Sequence, residues 1–336
     1  MRVWQIQDSF GIDHLKLVEK PEPSAGAGQV VLAMKAASLN YRDLLTVKGA
    51  GGNFPLPLIP FSDGAGEVVA IGGGVTRVKV GDRVCPSFFQ SWIDGPVADY
   101  SRAKALGGSS AGVLQERLLL DAEGVSHVPG HLTWQETSTL PCAGLTAWRA
   151  VAIEAPVGPG DTVLVQGTGG VSIFALQFAK ARGASVIATS SSDEKLAHAR
   201  KLGADYLINY KAVPEWGKKA RELTGGRGVD LVVEVGGENT LAQSLDAARV
   251  GGSIVVIGVL GGFASPLFLP ALFGKNLRLI GISVGSRTQF EEMAAAITGW
   301  KLKPVVDRVF PFEKLPEALS LMEAGGHFGK IVVEFP

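Results

Sequence analysis

The chain of 336 residues contains only two cysteines, Cys85 and Cys142, which excludes a disulfide scaffold and any four-cysteine zinc site. Surplus charge is missing as well, since 32 Lys and Arg balance 32 Asp and Glu. That balance argues against a polyanion-binding surface, and no nucleic-acid partner is expected. Charged residues make up 19% of the chain, below the ~25% usual in globular proteins, so a large core can be buried. The Met1-Arg2-Val3-Trp4-Gln5 start has no apolar leader and no cleavage motif, so a soluble, cytoplasmic protein is expected. One uncharged stretch, Val250 to Gly274, is long enough to span a bilayer. It is broken by six glycines, Pro266 and Pro270, and gathers β-branched residues at Ile254-Val255-Val256-Ile257. A buried strand, a glycine turn and a Pro-bounded loop account for it, and no membrane partner is expected.

Glycine, by contrast, is plentiful at 44 residues, about 13% against ~7% in average proteins. Glycine and proline together number 62, about 18% and short of the ~25–30% of low-complexity chains, so the excess belongs to folded structure. The length predicts roughly two domains. The first ~125 residues read as β-rich, with short segments such as Val30–Met34, Gly66–Ile71 and Asp82–Val84 between turn residues. From Thr133 the rhythm changes. A helix broken by Pro141 is predicted over Glu136–Ala152, then strands at Thr162–Val165, Ser185–Ala188, Tyr206–Ile208, Val229–Val235, Ser253–Ile257 and Leu277–Ile282. Helices are predicted between them at Val171–Ala181, Asp193–Lys201, Pro214–Leu223 and Thr240–Ala248. This alternation specifies an α/β fold with a doubly wound parallel sheet and a ligand crevice at the strands' C-terminal ends. A helix over Thr288–Gly299, a helical segment over Pro311–Ala324 and a strand at Lys330–Phe335 close the chain, with no fixed-period repeat.

The strongest local signal is Gln166-Gly167-Thr168-Gly169-Gly170-Val171-Ser172 between a strand and a helix. Gly167 permits the tight turn, Gly169 lets backbone approach a pyrophosphate, and small Ser172 stands in for a third glycine. Amides of Thr168, Gly169, Gly170 and Val171 would face the phosphates. An NAD site places an acid at the end of the second strand, but here Thr189-Ser190-Ser191-Ser192 has none before Asp193. Hydroxyls of Ser190 and Ser191, the charge of Lys195, and Tyr210 at the end of the next strand suit a 2′-phosphate. NADP(H) is therefore the expected cofactor, although the same serines also suit a helix cap.

These motifs resemble the medium-chain dehydrogenase/reductase superfamily, and within it the zinc-free, quinone oxidoreductase-like branch. The resemblance runs through Ala37–Asp43, Asp63–Val69, Val80–Val84, Leu140–Trp148, Gly167–Ser172 and Phe328–Val332. It implies a Rossmann-type domain over 129–284, and a β-rich GroES-like catalytic domain formed by 1–128 and completed by 285–336. It also implies a homodimer joined through the Rossmann sheet edge. By resemblance, Asn40, Tyr41 and Arg42 lie in one loop beside the nicotinamide as candidate catalytic donors, and Asp43 is structural. Thr146, Gly236 with Gly237, Gly258-Val259-Leu260, and Ser283 with Val284 would line the cofactor, with Lys330 on its phosphates. Asn40 and Ser62 stand where zinc alcohol dehydrogenases have ligand Cys and His, and only Cys142 falls at a ligand position, so no metal is expected. His14, His127, His131, His198 and His327 show no paired ligand spacing.

Without a Lewis acid, hydride addition to a conjugated acceptor is favoured, because the developing charge spreads over an enolate or hydroquinone. The expected activity is NADPH-dependent reduction of an apolar quinone or α,β-unsaturated carbonyl. The alternatives are an alcohol or aldehyde dehydrogenase acting on simple carbonyls, and a non-catalytic NADP(H)-binding redox sensor or structural protein. Phe54, Phe61, Phe88, Phe89, Trp92 and Phe268 are candidates for an apolar pocket, several of them shared with the core.

Overall fold

Short β-favouring segments between turn residues must find partners far away in sequence, and in the first part of the chain they do. The computed structural model describes residues 1–50, 52 and 54–336. It opens with β1 (Arg2–Ile6), β2 (Leu15–Glu19), β3 (Gln29–Ser38), α1 (Tyr41–Val47), β4 (Asp63–Ile71), β5 (Arg83–Pro86), β6 (Arg117–Asp121) and β7 (Val125–His127). A helical run then crosses α2 (Trp134–Ser138), a π turn at Leu140–Gly144, α3 (Leu145–Trp148) and a second π stretch at Arg149–Glu154. The α-helix thus breaks ahead of Pro141, as expected, and the wider π turn that follows accommodates the missing N–H.

The strands β8 (Thr162–Gln166), β9 (Ser185–Ser190), β10 (Tyr206–Asn209), β11 (Val229–Glu234), β12 (Ala248–Val256) and β13 (Arg278–Gly281) follow. Between them lie α4 (Gly170–Ala181), α5 (Asp193–Lys201), α6 (Trp216–Leu223), α7 (Leu241–Ala247) and α8 (Leu269–Gly274). The strands form one all-parallel sheet in the order β10-β9-β8-β11-β12-β13, the doubly wound order expected. Leu164, Ile187, Ile208, Val232 and Ile254 form its core. β12 begins at Ala248, before the expected Ser253, because Gly251 at φ 72° lets the chain bulge against β11. The uncharged stretch after Val250 is this strand, a loop and the short α8. No helix among the described residues is long and apolar enough to cross a membrane.

The chain ends with α9 (Arg287–Trp300), β14 (Val306–Pro311), α10 (Leu315–Glu323) and β15 (Lys330–Glu334). This return segment joins the first part. Residues 1–145 and 284–336 make one unit, and residues 146–283 make the other. The first crossing thus falls inside the helical run, later than the expected boundary at 128/129. The first unit's seven-stranded sheet runs β14-β15-β3-β4-β5-β7, with β6 also on β3. Ten-residue β3 is its spine. It pairs β4 along one edge; on the other it pairs β6 through Gln29–Ala33 and β15 through Ala36–Ser38. Leu32, Val68, Leu118, Phe312 and Ile331 pack into the core around it.

Candidate active site

The β3 pairings bring three strand ends to one point. Ser38 lies opposite Asp63 of β4 and Val332 of β15, and the Leu39 amide donates to Ile331 O at 3.0 Å. Lys330 is thereby carried to Asn40, 290 residues away in sequence. Its Nζ donates to Leu39 O at 2.5 Å and to Asn40 Oδ1 at 2.5 Å. The side chain is 3% exposed. Burial pushes the Lys330 ammonium down, while Asp63, Cys142 and Asp43 hold it up. Lys330 is thus committed inside the first unit, a placement different from the phosphate contact expected of it.

Asp63 is fully buried. Its Oδ1 accepts from Ser62 Oγ at 2.8 Å and its Oδ2 from the Cys142 amide at 3.0 Å. The Cys142 amide that makes the second bond lies in the first turn of the π stretch, where an N–H has no partner within the helix. Burial raises the Asp63 carboxyl to about 6 against the pull of Lys330. Preceding Phe61 sits in the left-handed region at φ 71°. The loop at Gly112 clamps it there, since a Cβ on Gly112 would lie 2.2 Å from the Pro60 and Phe61 carbonyl oxygens.

Asn40, Tyr41 and Arg42 do not share a loop. Asn40 caps α1 and the other two form its first turn, with buried Asp43 reaching back to the Asn40 amide at 2.9 Å. Arg42 is turned away from donor duty. One guanidinium nitrogen donates to Asp43 Oδ1, Leu106 O and Gly107 O, each at 3.1 Å, and the group lies over Phe88. Burial raises the Asp43 carboxyl, with Arg42 opposing. Tyr41 is exposed. Asn40 is 8% exposed, and its side-chain amide is buried facing the Asp63 carboxylate, whose ionised form it favours. Among the expected pocket aromatics, Phe61, Phe88, Phe89 and Trp92 are buried, the last three stacked edge to face or tilted. Phe54 is half-buried and Phe268 exposed on the second unit.

The second unit gathers most of the expected cofactor residues around one carboxylate. Glu234, fully buried at the end of β11, accepts from Gln166 Nε2, Ser244 Oγ, Thr240 Oγ1 and the amides of Gly236 and Gly237, all within 2.9 Å. Gln166 completes the clamp, its Oε1 accepting from the Val235 and Gly236 amides. The Gly258–Gly261 segment joins through Leu260 N to Val235 O and Gly261 N to Gly236 O. So the turn holding Gly167, Thr168, Gly169, Gly170 and Val171 is locked to those at Gly236 and at Gly258, Val259 and Leu260. Gly167 has φ 67°, and a Cβ on Gly169 would enter open space. Helix α4 has no side-chain cap, and Ser172 Oγ donates to Gln166 O at 2.6 Å. Open space above uncapped amides fits a pyrophosphate. Sequence reading missed Glu234 and Gln166; an acid inside an apolar strand was the available signal.

At the end of β9, Ser190 Oγ accepts from the Ser192 amide at 3.2 Å, and Ser192 caps α5. Asp193, the nearest acid, is held by Asn209 Nδ2 at 2.8 Å. Ser191 and Lys195 are half-buried, and Tyr210, whose amide bonds Ser190 O, is exposed. Thr146 and Ser283 begin and end this unit, and Val284, at φ 49°, begins the return segment.

Residues 26–130 match the family described as "Alcohol dehydrogenase GroES-like domain" and residues 170–299 the family described as "Zinc-binding dehydrogenase". A zinc-type alcohol dehydrogenase-like protein of Schizosaccharomyces pombe is 44% identical over 96% of each chain. A crystal structure from Sinorhizobium meliloti, provisionally named an alcohol dehydrogenase, superposes with a TM-score of 0.92 at 43% identity, covering 99% of this chain and 98% of that one. A mycobacterial protein solved with NADPH gives 0.84 at 27% identity, covering 99% of each. The residues here do not fit the zinc those names suggest. Asn40 offers a carboxamide, Ser62 gives its hydroxyl to Asp63, burial pushes the Cys142 thiol well up, and an ammonium shares the space. Among the described residues, no three His, Cys, Asp or Glu converge on a metal position.

Two outcomes follow. Because the folded carboxyl of Asp63 titrates at about 6 and the unfolded one at 3.8, the folded state binds the extra proton between those values. Its ionisation then costs on the order of 3 kcal/mol above pH 6, relieved as pH falls toward 4. Relative to wild type, Asp63→Asn should therefore gain stability as pH rises from about 4 to about 7 in urea titrations; a constant difference would refute it. Glu234→Gln replaces an acceptor of five bonds with a group that must also donate. It should lose about 2 kcal/mol or more of stability, measured by chemical unfolding.

Proposed function

The chain belongs to the medium-chain dehydrogenase/reductase superfamily and is an oxidoreductase of its nicotinamide-dependent dehydrogenases. From that premise we propose an NADPH-dependent reductase of quinones or α,β-unsaturated carbonyls that works without a catalytic metal. One observation carries the reading: where the relatives' names call for a metal-ligand set, this chain has Asn40, Ser62, Asp63, Cys142 and Lys330 bonded to one another. A bound nicotinamide supplies the hydride. Asn40, at the cap of α1, would donate to the acceptor's oxygen as negative charge develops there. A single neutral donor suits an acceptor that spreads this charge itself. Tyr41, exposed on the first turn of α1, is the second candidate donor.

NADPH over NADH is supported by the end of β9, where Asp193, the first acid in sequence, accepts from Asn209 and Ser190, Ser191, Lys195 and Tyr210 are the donors suited to a 2′-phosphate. Among the described residues, no strand pairs the outer edge of β13. Exposed Phe263, Phe268, Leu269, Phe273 and Leu279 come from β13 and the segment before it. A second copy pairing its own β13 would cover that edge, and we propose a homodimer of this kind in the cytoplasm. The second reading, an alcohol or aldehyde dehydrogenase, draws on the names of relatives, some of them NAD-dependent.

An NADPH-oxidation screen across quinones, enones, aldehydes and ketones tests the substrate class. Turnover should concentrate on the conjugated acceptors; turnover of saturated carbonyls alone would select the second reading, and none at all a non-catalytic binder. Fluorescence titration tests the cofactor. Lys195→Ala should weaken NADPH about tenfold or more, the size of a lost charged hydrogen bond, and leave NADH unchanged. Ser190→Asp should reverse the preference, and tighter NADH binding by wild type would sink the assignment.

A further inference from the structure

Asn209 ends β10 and has no task in the reading above, yet its carboxamide is bonded at both ends. Its Oδ1 accepts from the Lys211 amide at 3.1 Å, an Asx turn that closes the strand. That turn uses only the oxygen. Nδ2 is left to face the other way, and it donates to Asp193 Oδ1 at 2.8 Å. A carboxylate can only accept and an amide N–H can only donate, so the two bonds together fix which end of the carboxamide is which. The strand register gives the pair its location. Asn209 lies beside Ser190 across the parallel pair of β9 and β10, and the Tyr210 amide donates to Ser190 O at 3.0 Å. Asp193 opens α5 directly after its cap, Ser192, whose own amide donates to Ser190 Oγ. The first acid after β9 is therefore tied to β10, at a helix N-terminus whose dipole favours its charge.

We propose that Asn209 is a positioning residue for cofactor specificity: by tethering Asp193 to the end of β10, it keeps a carboxylate away from the serine hydroxyls that receive the 2′-phosphate of NADPH. This rests on the reading of the β9 end as a 2′-phosphate site. An acid at the end of this strand is how a dinucleotide site selects NAD, because a carboxylate accepts from the ribose hydroxyls. The same carboxylate repels a phosphate monoester, which carries about two negative charges at pH 7. Asp193 stands at the rim of the strand end where Ser190 and Ser192 are bonded to each other. Released from Asn209, it would compete for the serine hydroxyls and set its charge against the phosphate. Asn209 touches no part of the cofactor in this role and acts only through Asp193.

Fluorescence titrations of NADPH and NADH against the full chain test this without any turnover. Asn209→Ala should weaken NADPH about 3- to 10-fold, the size of one like-charge contact near a surface, and leave NADH within about twofold. Asn209→Ser, which keeps an oxygen for the Lys211 amide but removes the amide donor, should repeat that loss with the strand end intact. The loss should shrink as salt is raised from about 0.05 to about 0.5 M, since screening weakens repulsion between exposed charges. Asp193→Asn decides the mechanism through a double-mutant cycle. Alone it should change NADPH binding less than about twofold, and in the Asn209→Ala background it should restore binding to near the wild-type value. A double variant as weak as Asn209→Ala would mean that the tether merely shapes the loop, and would overturn the proposal. So would an Asn209→Ala chain that binds NADPH like wild type, or one that loses NADH to the same extent. A wild type that binds NADH more tightly than NADPH would refute the 2′-phosphate reading itself, and the proposal with it, before any variant is made.

Discussion

A buried charge must be answered nearby, and in the first unit that requirement organises everything around the end of β3. Lys330 enters on β15, Asp63 on β4, Asp43 on α1 and the Cys142 amide on the helical run. None is adjacent in sequence to all the others. Desolvation works against each charge singly, lowering Lys330 and raising Asp63 and Asp43, so the group is stable only as a set. The strand pairings that assemble the set are therefore as much a part of the site as its side chains. The return segment has a clear physical reason to complete this unit: without β15, Asp63 loses the cation that opposes its burial, while Asp43 keeps only Arg42.

The second unit meets a similar demand with dipoles in place of charges. Glu234 is as buried as Asp63, but five donors converge on it. Four lie on the turn and helix just after β11, and the fifth, Gln166, leads into the glycine turn. A carboxylate saturated in this way resists rotation, and so do the turns that supply its donors. Rigidity matters for a pyrophosphate site, where backbone amides bind well only if they already point the right way.

The parallel sheet was legible because its signals are local: apolar strand runs, helical periods and glycine turns recur within short windows. Helix α5 begins and ends where the pattern said, at Asp193 and Lys201. The glycine turn and Ser172 could be read for the same reason. Helix α1 was missed, although Asn40 and Asp43 stand at capping-box spacing, because the motif reading treated Asn40–Arg42 as one loop. Placing Arg42 and Lys330 required non-local knowledge. The residues that occupy Arg42, Leu106 and Gly107, lie 64 and 65 positions further on, and Lys330 meets Asn40 only through the β3–β15 pairing. Periodicity carries no information about such contacts. The π turns on either side of α3 went unread for a different reason, since π turns have no sequence period of their own.

The charge balance of the first unit's cluster also decides how it would meet a metal ion. A dication placed among Asn40, Ser62, Asp63 and Cys142 would meet the Lys330 ammonium at close quarters, in a region that already balances its charge. It would also need a thiolate from a cysteine that burial keeps protonated. Restoring one ligand by substitution would leave both obstacles in place. The departure from a zinc site is thus not a single lost residue but a consistent exchange of charge, hydrogen bonding and ligand type. With the local charge already balanced, the site can add directed hydrogen bonds to a reaction but little new positive charge. That is the physical basis of the proposed reading, in which the acceptor's own conjugation carries most of the developing charge and no Lewis acid is needed.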